Sequence, residues 1–377
     1  MKVIYPGSFD PFTNGHKDVV RRAIRHNFGV GETLEKFYIC IAENDEKESA
    51  FTPEERKEMI EIALSNHPQR DIIEVIIYDG LIVDLAKFLG ASYIIRGIRA
   101  NRKDRDEEEL LAQTNKRLSK IRGFTLETIP IYAHDEFLDS VSSSLVKKLC
   151  KLGEYIEVSR LVSPNIHQEL MVKSLYKYFA SNSCFLQNTI NWLELTKIYK
   201  SRAYHNLSHL GYMFNMLSIY SSQTGFVASR DFILAIIGHD LVCEPLNDDN
   251  EEASYEMLTR WFPENNQLVW SASETKKLIL ATKYPSNIEK PTEEEALIMD
   301  LDLSILGTFH DKIWQNYCDN VRKEYSFVSD EVFNKGRIEF LRTLLNSERI
   351  FKTDTFYKMF EENARKNIAN EIKRLQA

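Results

Sequence analysis

Residues 2–24 read KVIYPGSFDPFTNGHKDVVRRAI. They predict a strand over Val3–Tyr5, a turn with two glycines that let backbone approach a ligand closely, and a helix over Lys17–Ile24. A helix that begins at the carboxyl end of a first strand points free N–H groups at an anion, and His16 in its first turn is suited to donate to a phosphate. A plain tight turn with a capping histidine fits the same residues, so this segment alone leaves both interpretations open.

The alternation of strand and helix signals continues through about residue 160. The further strand-like runs are Phe37–Ala42, Ile73–Tyr78, Tyr93–Ile95 and Thr128–Tyr132. Such alternation indicates a parallel sheet covered by helices on both faces, which is an α/β domain. After about residue 175, helical spacing and apolar runs replace the strand pattern. We therefore predict an α/β domain over residues 1–177 and an all-α domain over residues 178–377.

Composition narrows the class of protein. The chain has 377 residues, of which 43% are hydrophobic and 28% charged, as in soluble globular proteins of two or three domains. The net charge of -8 leaves neither half with the basic surplus that dominates nucleic-acid binding. Five widely spaced cysteines without a CxxC pair, and no room for a signal peptide before the first strand, favour a cytoplasmic protein. We expect neither a nucleic-acid nor a membrane partner.

Three further segments favour a phosphate site near the first turn. Arg96-Gly97-Ile98-Arg99 lies at the end of a strand-like run, where guanidinium groups suit bidentate phosphate binding. Ser142–Ser144 precede a helix and gather hydroxyls and free amides at its N-terminus, and Lys47 follows the second strand. A surface ion pair, ordinary N-capping and a surface lysine are the respective structural alternatives.

Together these segments resemble those of bacterial phosphopantetheine adenylyltransferases, members of the HxGH nucleotidyltransferase superfamily. The resemblance covers about residues 1–175 and includes Phe51–Arg56, Gly80–Asp84 and Asn165–Gln168. The superfamily's usual first histidine is Thr13 here, as is typical of this family. The resemblance implies a Rossmann-like fold and transfer of an adenylyl group from ATP, with Mg²⁺, to 4'-phosphopantetheine, giving dephospho-coenzyme A and pyrophosphate.

The resemblance also implies roles for individual residues. His16 would be catalytic and would stabilise the pentavalent transition state. The residues implied to bind ATP are Ser8, Phe9, His16, Gly97, Ile98, Arg99, Glu108, Ser142, Ser143 and Ser144. Those implied to bind the phosphopantetheine substrate are Ser8, Lys47, Ile82 and Arg96. Because the family commonly forms hexamers, a homo-oligomer is expected.

The sequence departs from the family pattern in ways that bear mainly on the adenine pocket. The segment between Leu118 and the serines is longer than usual, and so is the loop Phe28–Lys36. Leu138 replaces an expected aromatic residue, and one extra residue separates Arg99 from Glu108. The alternative is an adenylyl- or cytidylyltransferase that uses another phosphorylated acceptor, such as a sugar or polyol phosphate.

A second set of candidate site residues lies in or beside apolar helical segments. Its members are His205, His209, His239, Asp240, Asp300 and Asp302. Charged side chains in such segments are unfavourable unless they are paired or bind a metal, and nitrogen with carboxylate oxygen suits Mn²⁺, Mg²⁺, Fe²⁺ or Ni²⁺. A single buried histidine is more often a satisfied core residue. The chain also contains the His-Asp dipeptide His310-Asp311, which no comparable apolar run precedes and which we interpret as a solvated helix start.

The ordered set resembles the HD-domain metal-dependent phosphohydrolases. That resemblance implies metal ligands His209, His239, Asp240 and Asp302, with His205 as a catalytic general acid. Asp302 is preferred to Asp300 because Asp-Leu-Ser matches the last motif better. The similar bacterial proteins have no settled substrate, and we expect a small phosphorylated metabolite: a coenzyme A pathway compound, pyrophosphate or a nucleotide.

The predictions for residues 178–377 also include two basic side chains and an alternative function. Lys283 and Arg322 are candidate phosphate contacts, although each is equally consistent with a surface charge. The alternative function is a regulatory module that senses nucleotides without turning them over.

Overall fold

The structure is a computed structural model that describes most of the chain. The described residues are 1–26, 28, 33–42, 49–98, 102–133, 136–179, 190–245, 247–261, 271–284 and 288–376, without the side chains of 102–105, 107 and 136. The predicted site residues Lys47 and Arg99 lie outside them. The chain forms two compact units, Met1–Met171 and Val172–Ala377.

The first unit is built on a five-stranded sheet. Its strands are β1 (Lys2–Gly7), β2 (Lys36–Ala42), β3 (Ile73–Tyr78), β4 (Tyr93–Ile98) and β5 (Glu127–Tyr132). All four pairings are parallel, and the order across the sheet is β3-β2-β1-β4-β5. The predicted α/β class is confirmed, and each predicted strand is present.

Burial of both sheet faces follows from the sequence of the central strands. In β1, Val3 and Tyr5 belong to one apolar cluster and Ile4 to another. In β2, Phe37 and Ile39 join the first cluster and Tyr38 the second. Because side chains alternate between the faces of a strand, near-continuous apolar strands require helices on both sides.

Helices connect the strands and complete the first unit. They are α1 (Asn14–Ile24), α2 (Pro53–Ala63), α3 (Ile82–Leu89), α4 (Arg102–Ile121), α5 (Glu136–Ser140), α6 (Ser143–Lys151), α7 (Tyr155–Leu161) and α8 (Pro164–Phe179), the last continuing into the second unit. Two of the predicted boundaries differ from the structure by three residues. Helix α1 starts at Asn14 rather than Lys17, because Thr13 caps it. Strand β4 runs on to Ile98, because Arg96, Gly97 and Ile98 stay paired with β5.

The second unit is largely helical, as predicted. Its further helices are α9 (Trp192–Lys200), α10 (Leu207–Thr224), α11 (Arg230–Gly238), α12 (Asn250–Thr259), α13 (Ala272–Ala281), α14 (Glu293–Leu303), α15 (Asp311–Glu324), α16 (Asp330–Asn346) and α17 (Asp354–Gln376). Helix α11 is buried on every side from Phe232 to Gly238. Within the described ranges, no helix is long and apolar enough to cross a membrane.

Two glycines of the second unit differ in their surroundings. Gly307 ends a 3₁₀ turn, Ser304–Gly307, and a Cβ added there would lie 2.8 Å from Cγ of Phe360. Gly336 lies within α16, and a Cβ added there would meet no atom within 4 Å. Close packing therefore requires glycine at the first position and not at the second.

We expect Gly307→Ala to destabilise the second unit by about 1–3 kcal/mol, because the added methyl group overpacks the contact with Phe360. The matched control, Gly336→Ala, is expected to stabilise it by about 0.5–1 kcal/mol, since alanine favours a helix over glycine. Calorimetric unfolding of both variants measures these changes. A Gly307→Ala protein as stable as the wild type would contradict the described packing.

Candidate functional site

A cavity of about 380 Å³ opens at the carboxyl ends of β1 and β4. These strands are adjacent, and the connections turn outward to β2 on one side and β5 on the other. In parallel α/β sheets this switch point is where ligands bind. The predicted site residues that line the cavity are Ser8, Phe9, His16, Arg96, Gly97, Ile98 and Glu108. Ile82 and the serines at 142–144 do not line it.

The orientation of His16 is fixed by the cap of α1. The backbone N–H of Thr13 donates to Nδ1 of His16 at 3.0 Å, and the Thr13 hydroxyl accepts from the His16 backbone N–H at 3.4 Å. Because a backbone N–H can only donate, Nδ1 accepts and the neutral ring carries its proton on Nε2. The rings of Phe9 and Phe12 pack against the imidazole at centroid distances of 5.1 and 5.6 Å. The cap thus presents an N–H donor at the cavity.

The first turn is held by a buried carboxylate that the sequence analysis missed. Asp10 accepts hydrogen bonds from the backbone N–H groups of Ala50 and Phe51, each at 3.0 Å, and from Nζ of Lys147 at 2.8 Å. Arg56 donates to the carbonyl oxygen of Ser8 at 2.7 Å. In the sequence, the only indication of a role for Asp10 is that its carboxylate lies in the apolar segment Phe9–Phe12. Its partners are 40 to 137 residues away and give no local pattern.

The turn glycines line the cavity, and each also lies close to other groups of the protein. A Cβ at Gly7 would lie 2.8 Å from the ring of Phe9, so the glycine makes room for a side chain of the protein itself. At Gly15 a Cβ would lie 3.4 Å from the carbonyl oxygens of Leu138 and Val141. Both glycines therefore permit close packing within the protein. Phe9, between them, adopts a φ of 49°, an unfavourable value for a bulky residue.

Arg96 and Glu108 form an ion pair inside the cavity. Nε of Arg96 donates to one carboxylate oxygen of Glu108 at 2.5 Å, and Nη2 donates to the other. The resemblance implied different substrates for these two residues, whereas the structure pairs them. A phosphate that binds Arg96 must therefore share or displace a bidentate carboxylate.

The serine turn caps α6. Ser142 accepts from the backbone N–H of Leu145 at 3.0 Å, and the Ser143 hydroxyl donates to the carbonyl oxygen of Pro11 at 2.9 Å. Ser144 is exposed. Leu138 lines the cavity where an aromatic residue was expected, and Phe137 is half exposed.

In the second unit, four of the predicted residues converge. His209 lies in α10, His239 and Asp240 follow α11, and Asp302 lies in α14. Nε2 of His209 is 3.2 Å from Nε2 of His239 and 3.1 Å from Oδ1 of Asp302. Nε2 of His239 is 3.0 Å from Oδ2 of Asp240. We call these four residues the His/Asp cluster. Its histidines are almost completely buried, with exposures of 4% and 2%.

The hydrogen bonding of the His/Asp cluster fits a cation. Nδ1 of His239 donates to the carbonyl oxygen of Ile236 at 2.9 Å, so Nε2 of the neutral ring carries a lone pair. Oδ2 of Asp240 is buried and receives no hydrogen bond. Lone pairs therefore face one another at distances typical of ligands around one ion, since groups about 2.1 Å from an ion and at right angles lie about 3 Å apart.

Charge in this cluster is strongly coupled. Burial alone lowers the pKa of His239, but the carboxylates of Asp240 and Asp302 raise it to about 9. Burial alone raises the pKa of Asp240, yet the neighbouring histidines hold it well below its usual range. A positive charge at this position is therefore favoured, whether it is carried by a proton or by a metal ion.

His205 is oriented by a residue to which the sequence analysis assigned no role. Nδ1 of His205 donates to a carboxylate oxygen of Glu324 at 2.7 Å. The other oxygen accepts from the backbone N–H groups of Tyr204 and His205 at 2.7 and 2.9 Å. Burial alone lowers the pKa of His205, but Asp240, Cys243 and Glu324 raise it well above its ordinary value. The ring lines a cavity together with Asp240 and Asp302.

The two aspartates of α14 serve different purposes. Asp300 is completely buried and accepts from the backbone N–H groups of Lys352 and Thr353 at 2.6 and 2.7 Å and from the Thr353 hydroxyl at 2.7 Å. Burial raises its pKa to about 7 although these hydrogen bonds lower it. Asp300 therefore fixes the segment before α17, while Asp302 contacts the histidines.

The two candidate phosphate contacts are already paired with carboxylates. Nζ of Lys283 lies 3.1 Å from Glu252, and Arg322 donates to Asp330 at 2.6 Å. Neither residue lines the cavity that contains His205.

The comparisons with known proteins concern the α/β domain. A family model described as cytidylyltransferase-like matches residues 4–149. A phosphopantetheine adenylyltransferase of Prochlorococcus marinus (strain MIT 9301) is 39% identical over 170 residues, which are 45% of this chain and 97% of the relative. One from Flavobacterium psychrophilum is 40% identical over 40% of this chain and 89% of the relative. A solved nicotinic acid mononucleotide adenylyltransferase of Plasmodium falciparum, complexed with APC, covers 46% of this chain and 94% of that structure at 17% identity and a TM-score of 0.33.

Through its first domain, the chain belongs to the phosphopantetheine adenylyltransferase family. This domain is a nucleotidyltransferase domain. The family model covers no residue of the helical unit. More than half of the chain therefore lies outside its similarity to phosphopantetheine adenylyltransferases.

Asp302→Ala and Asp300→Ala are expected to affect different properties. Asp302→Ala should weaken Mn²⁺ binding by at least roughly tenfold and leave stability nearly unchanged. Asp300→Ala should keep the Mn²⁺ affinity but destabilise the second unit by about 3 kcal/mol, because buried N–H groups lose their acceptor. Metal content after equilibrium dialysis and thermal unfolding measure the two effects, and Asp300→Asn is the milder variant if Asp300→Ala does not fold. Equal loss of metal in both aspartate variants would contradict the separation.

Proposed function

We propose that the first domain transfers the adenylyl group of ATP to 4'-phosphopantetheine, forming dephospho-coenzyme A and releasing pyrophosphate. The observation that carries the proposal is the Nε2–H donor of His16 at a cavity on the sheet's switch point, in a domain similar to phosphopantetheine adenylyltransferases. A phosphate oxygen of the acceptor would attack the α-phosphorus of ATP, and the bond to the leaving pyrophosphate would break.

The chain's own contribution to this step is positioning and charge stabilisation. His16 would donate to the α-phosphoryl oxygens as negative charge builds on them, and the N-terminus of α1 adds partial positive charge. Mg²⁺ would accompany ATP as part of the substrate. Arg96 would bind the acceptor phosphate once it shares or leaves Glu108, while Arg99 stays a prediction for ATP binding and Lys47 one for acceptor binding.

His16→Ala is expected to lower kcat for dephospho-coenzyme A formation by roughly 10²–10³-fold, because one N–H donor to the transition state is lost. The matched control is His26→Ala, an exposed histidine just past the end of α1. Mass detection of dephospho-coenzyme A measures both variants.

An unchanged kcat in His16→Ala would contradict the role of this residue. If the wild-type protein does not react with phosphopantetheine but uses CTP or ATP with a sugar or polyol phosphate, the proposed acceptor is wrong. The second candidate function then replaces the first. Leu138 at the cavity, where an aromatic residue was expected, is the feature that favours this second candidate.

We further propose that the helical unit is a metal-dependent phosphohydrolase of the HD type. His209, His239, Asp240 and Asp302 would hold a divalent cation, with Mn²⁺, Mg²⁺, Fe²⁺ and Ni²⁺ as candidates for nitrogen and carboxylate ligands. When bound, such a cation polarises a phosphoryl group and makes water more acidic. The support is the orphaned carboxylate oxygen of Asp240 beside Nε2 of His209 and Nε2 of His239, of which the second is left with a lone pair by the hydrogen bond to Ile236.

His205 would supply the proton for the leaving group. Its Nδ1 is held by Glu324, so Nε2 is the nitrogen left to face a substrate. Since a poor leaving group needs this proton most, loss of His205 should harm alkyl phosphates more than p-nitrophenyl phosphate.

The hydrolase is tested on the full chain with p-nitrophenyl phosphate and Mn²⁺. EDTA and Asp240→Asn should each abolish turnover, and Asp240→Asn should leave adenylyl transfer with Mg²⁺ intact. His205→Gln should lower turnover roughly 10²–10⁴-fold for an alkyl phosphate and less for p-nitrophenyl phosphate. The control is His310→Ala, which removes the histidine of the exposed His-Asp pair at the start of α15. Nucleotide binding without metal-dependent turnover of any phosphate ester would instead support a sensor.

A further inference from the structure

The cavity at His205 extends well beyond the His/Asp cluster. Its volume is about 530 Å³, within the range of sites that bind organic ligands of drug size. A phosphate held at the His/Asp cluster would fill only part of this space. The rest is bounded by the loop after α15 and by one face of α16.

Contacts between side chains connect α16 to the His/Asp cluster. Tyr204 packs on His209 at a centroid distance of 5.2 Å and on Tyr317 at 4.8 Å. The Tyr317 hydroxyl accepts from Arg337 of α16 at 2.9 Å, and the guanidinium of Arg337 lies 5.3 Å from the ring of Phe340. Tyr204 and Tyr317 thus link the His/Asp cluster to this wall of the cavity.

The wall is mainly apolar and contains an unexpected glycine. Besides Phe340, it is formed by Val328, Val332 and Phe333. Gly336 stands among them with an ordinary φ, and an added Cβ would meet no atom within 4 Å. Neither a turn nor close packing requires glycine here, although glycine destabilises a helix relative to alanine. Its effect is to leave the wall flat and the cavity wide at that point.

The cation on this wall is already neutralised. Arg337 pairs with Glu371 at 3.0 Å, and both side chains are buried. A second phosphate group would have to displace Glu371 from Arg337, so the wall suits an uncharged group better than a polyanion.

We propose that this face of α16 binds the organic part of the substrate, and that Gly336 determines its permitted size. The proposal rests on the phosphohydrolase function proposed above. It assigns to the site organic phosphates whose leaving group carries a flat, largely apolar moiety. Inorganic pyrophosphate and small alkyl phosphates would leave the wall uncovered.

Binding of non-hydrolysable probes to the full chain with Mn²⁺ tests the subsite by calorimetry. We expect phenylphosphonate to bind at least about tenfold tighter than methylphosphonate, which corresponds to burial of one ring against the wall. Gly336→Leu should remove this difference in affinity, the phenylphosphonate margin, and Gly336→Ala should reduce it. Glu339→Leu, an exposed position of the same helix outside this cavity, should keep it. Equal affinities in the wild type, or a margin that survives Gly336→Leu, would overturn the proposal.

Turnover separates this proposal from the function it rests on. In the wild type, phenyl phosphate should be hydrolysed, Gly336→Leu should lower its kcat/KM at least tenfold, and Asp240→Asn should abolish the reaction. If the phenylphosphonate margin is present but no ester is hydrolysed, the phosphohydrolase fails and the subsite stands. Efficient hydrolysis of pyrophosphate, undisturbed by Gly336→Leu, would refute the subsite and support the hydrolase.

Discussion

Lone pairs that face one another in a buried space are the constraint on which the helical unit depends. The carbonyl oxygen of Ile236 fixes the tautomer of His239 and so turns a lone pair toward His209 and Asp240. Such an arrangement is unstable without a positive charge between the groups. The completely buried helix α11 delivers His239 to this place, and Gly238 permits it, since a Cβ there would lie 2.7 Å from Leu258. The packing of the core therefore also positions the candidate metal ligand His239.

In the nucleotidyltransferase domain the electrostatic requirement is the opposite: positive groups of the protein would have to bind negative charge. The proposed adenylyl transfer requires a cavity that accepts negative charge, and this one offers the start of α1, the N–H of His16 and the guanidinium of Arg96. The pairing of Arg96 with Glu108 keeps that guanidinium oriented and neutralised when no phosphate is bound to it. The buried carboxylate of Asp10, held by two backbone amides and Lys147, fixes the turn that positions the other groups.

Local patterns predicted the elements, and long-range pairing explains what the sequence did not predict. Apolar runs bounded by turn residues identified all five strands, because both faces of this sheet are buried. The spacing of His205 and His209, and the apolar run before His239, identified residues that converge in the structure. By contrast, Glu324 lies 119 residues from His205, and Arg96 is paired with a residue assigned to another ligand. No periodicity links such partners, so they are identified only in the structure. The exposed His310 marks the limit of motif reasoning, since its dipeptide is identical to that of His239.

Anomalous scattering from crystals of the full chain grown with Mn²⁺ shows whether the His/Asp cluster binds a metal ion. We expect one strong peak about 2.1 Å from both Nε2 atoms, from Oδ2 of Asp240 and from a carboxylate oxygen of Asp302. The alternative source of positive charge is a proton on His239, whose pKa the neighbouring carboxylates raise to about 9. A cluster without such a peak, in which His239 donates a hydrogen bond to Asp240, would contradict a metal-dependent centre.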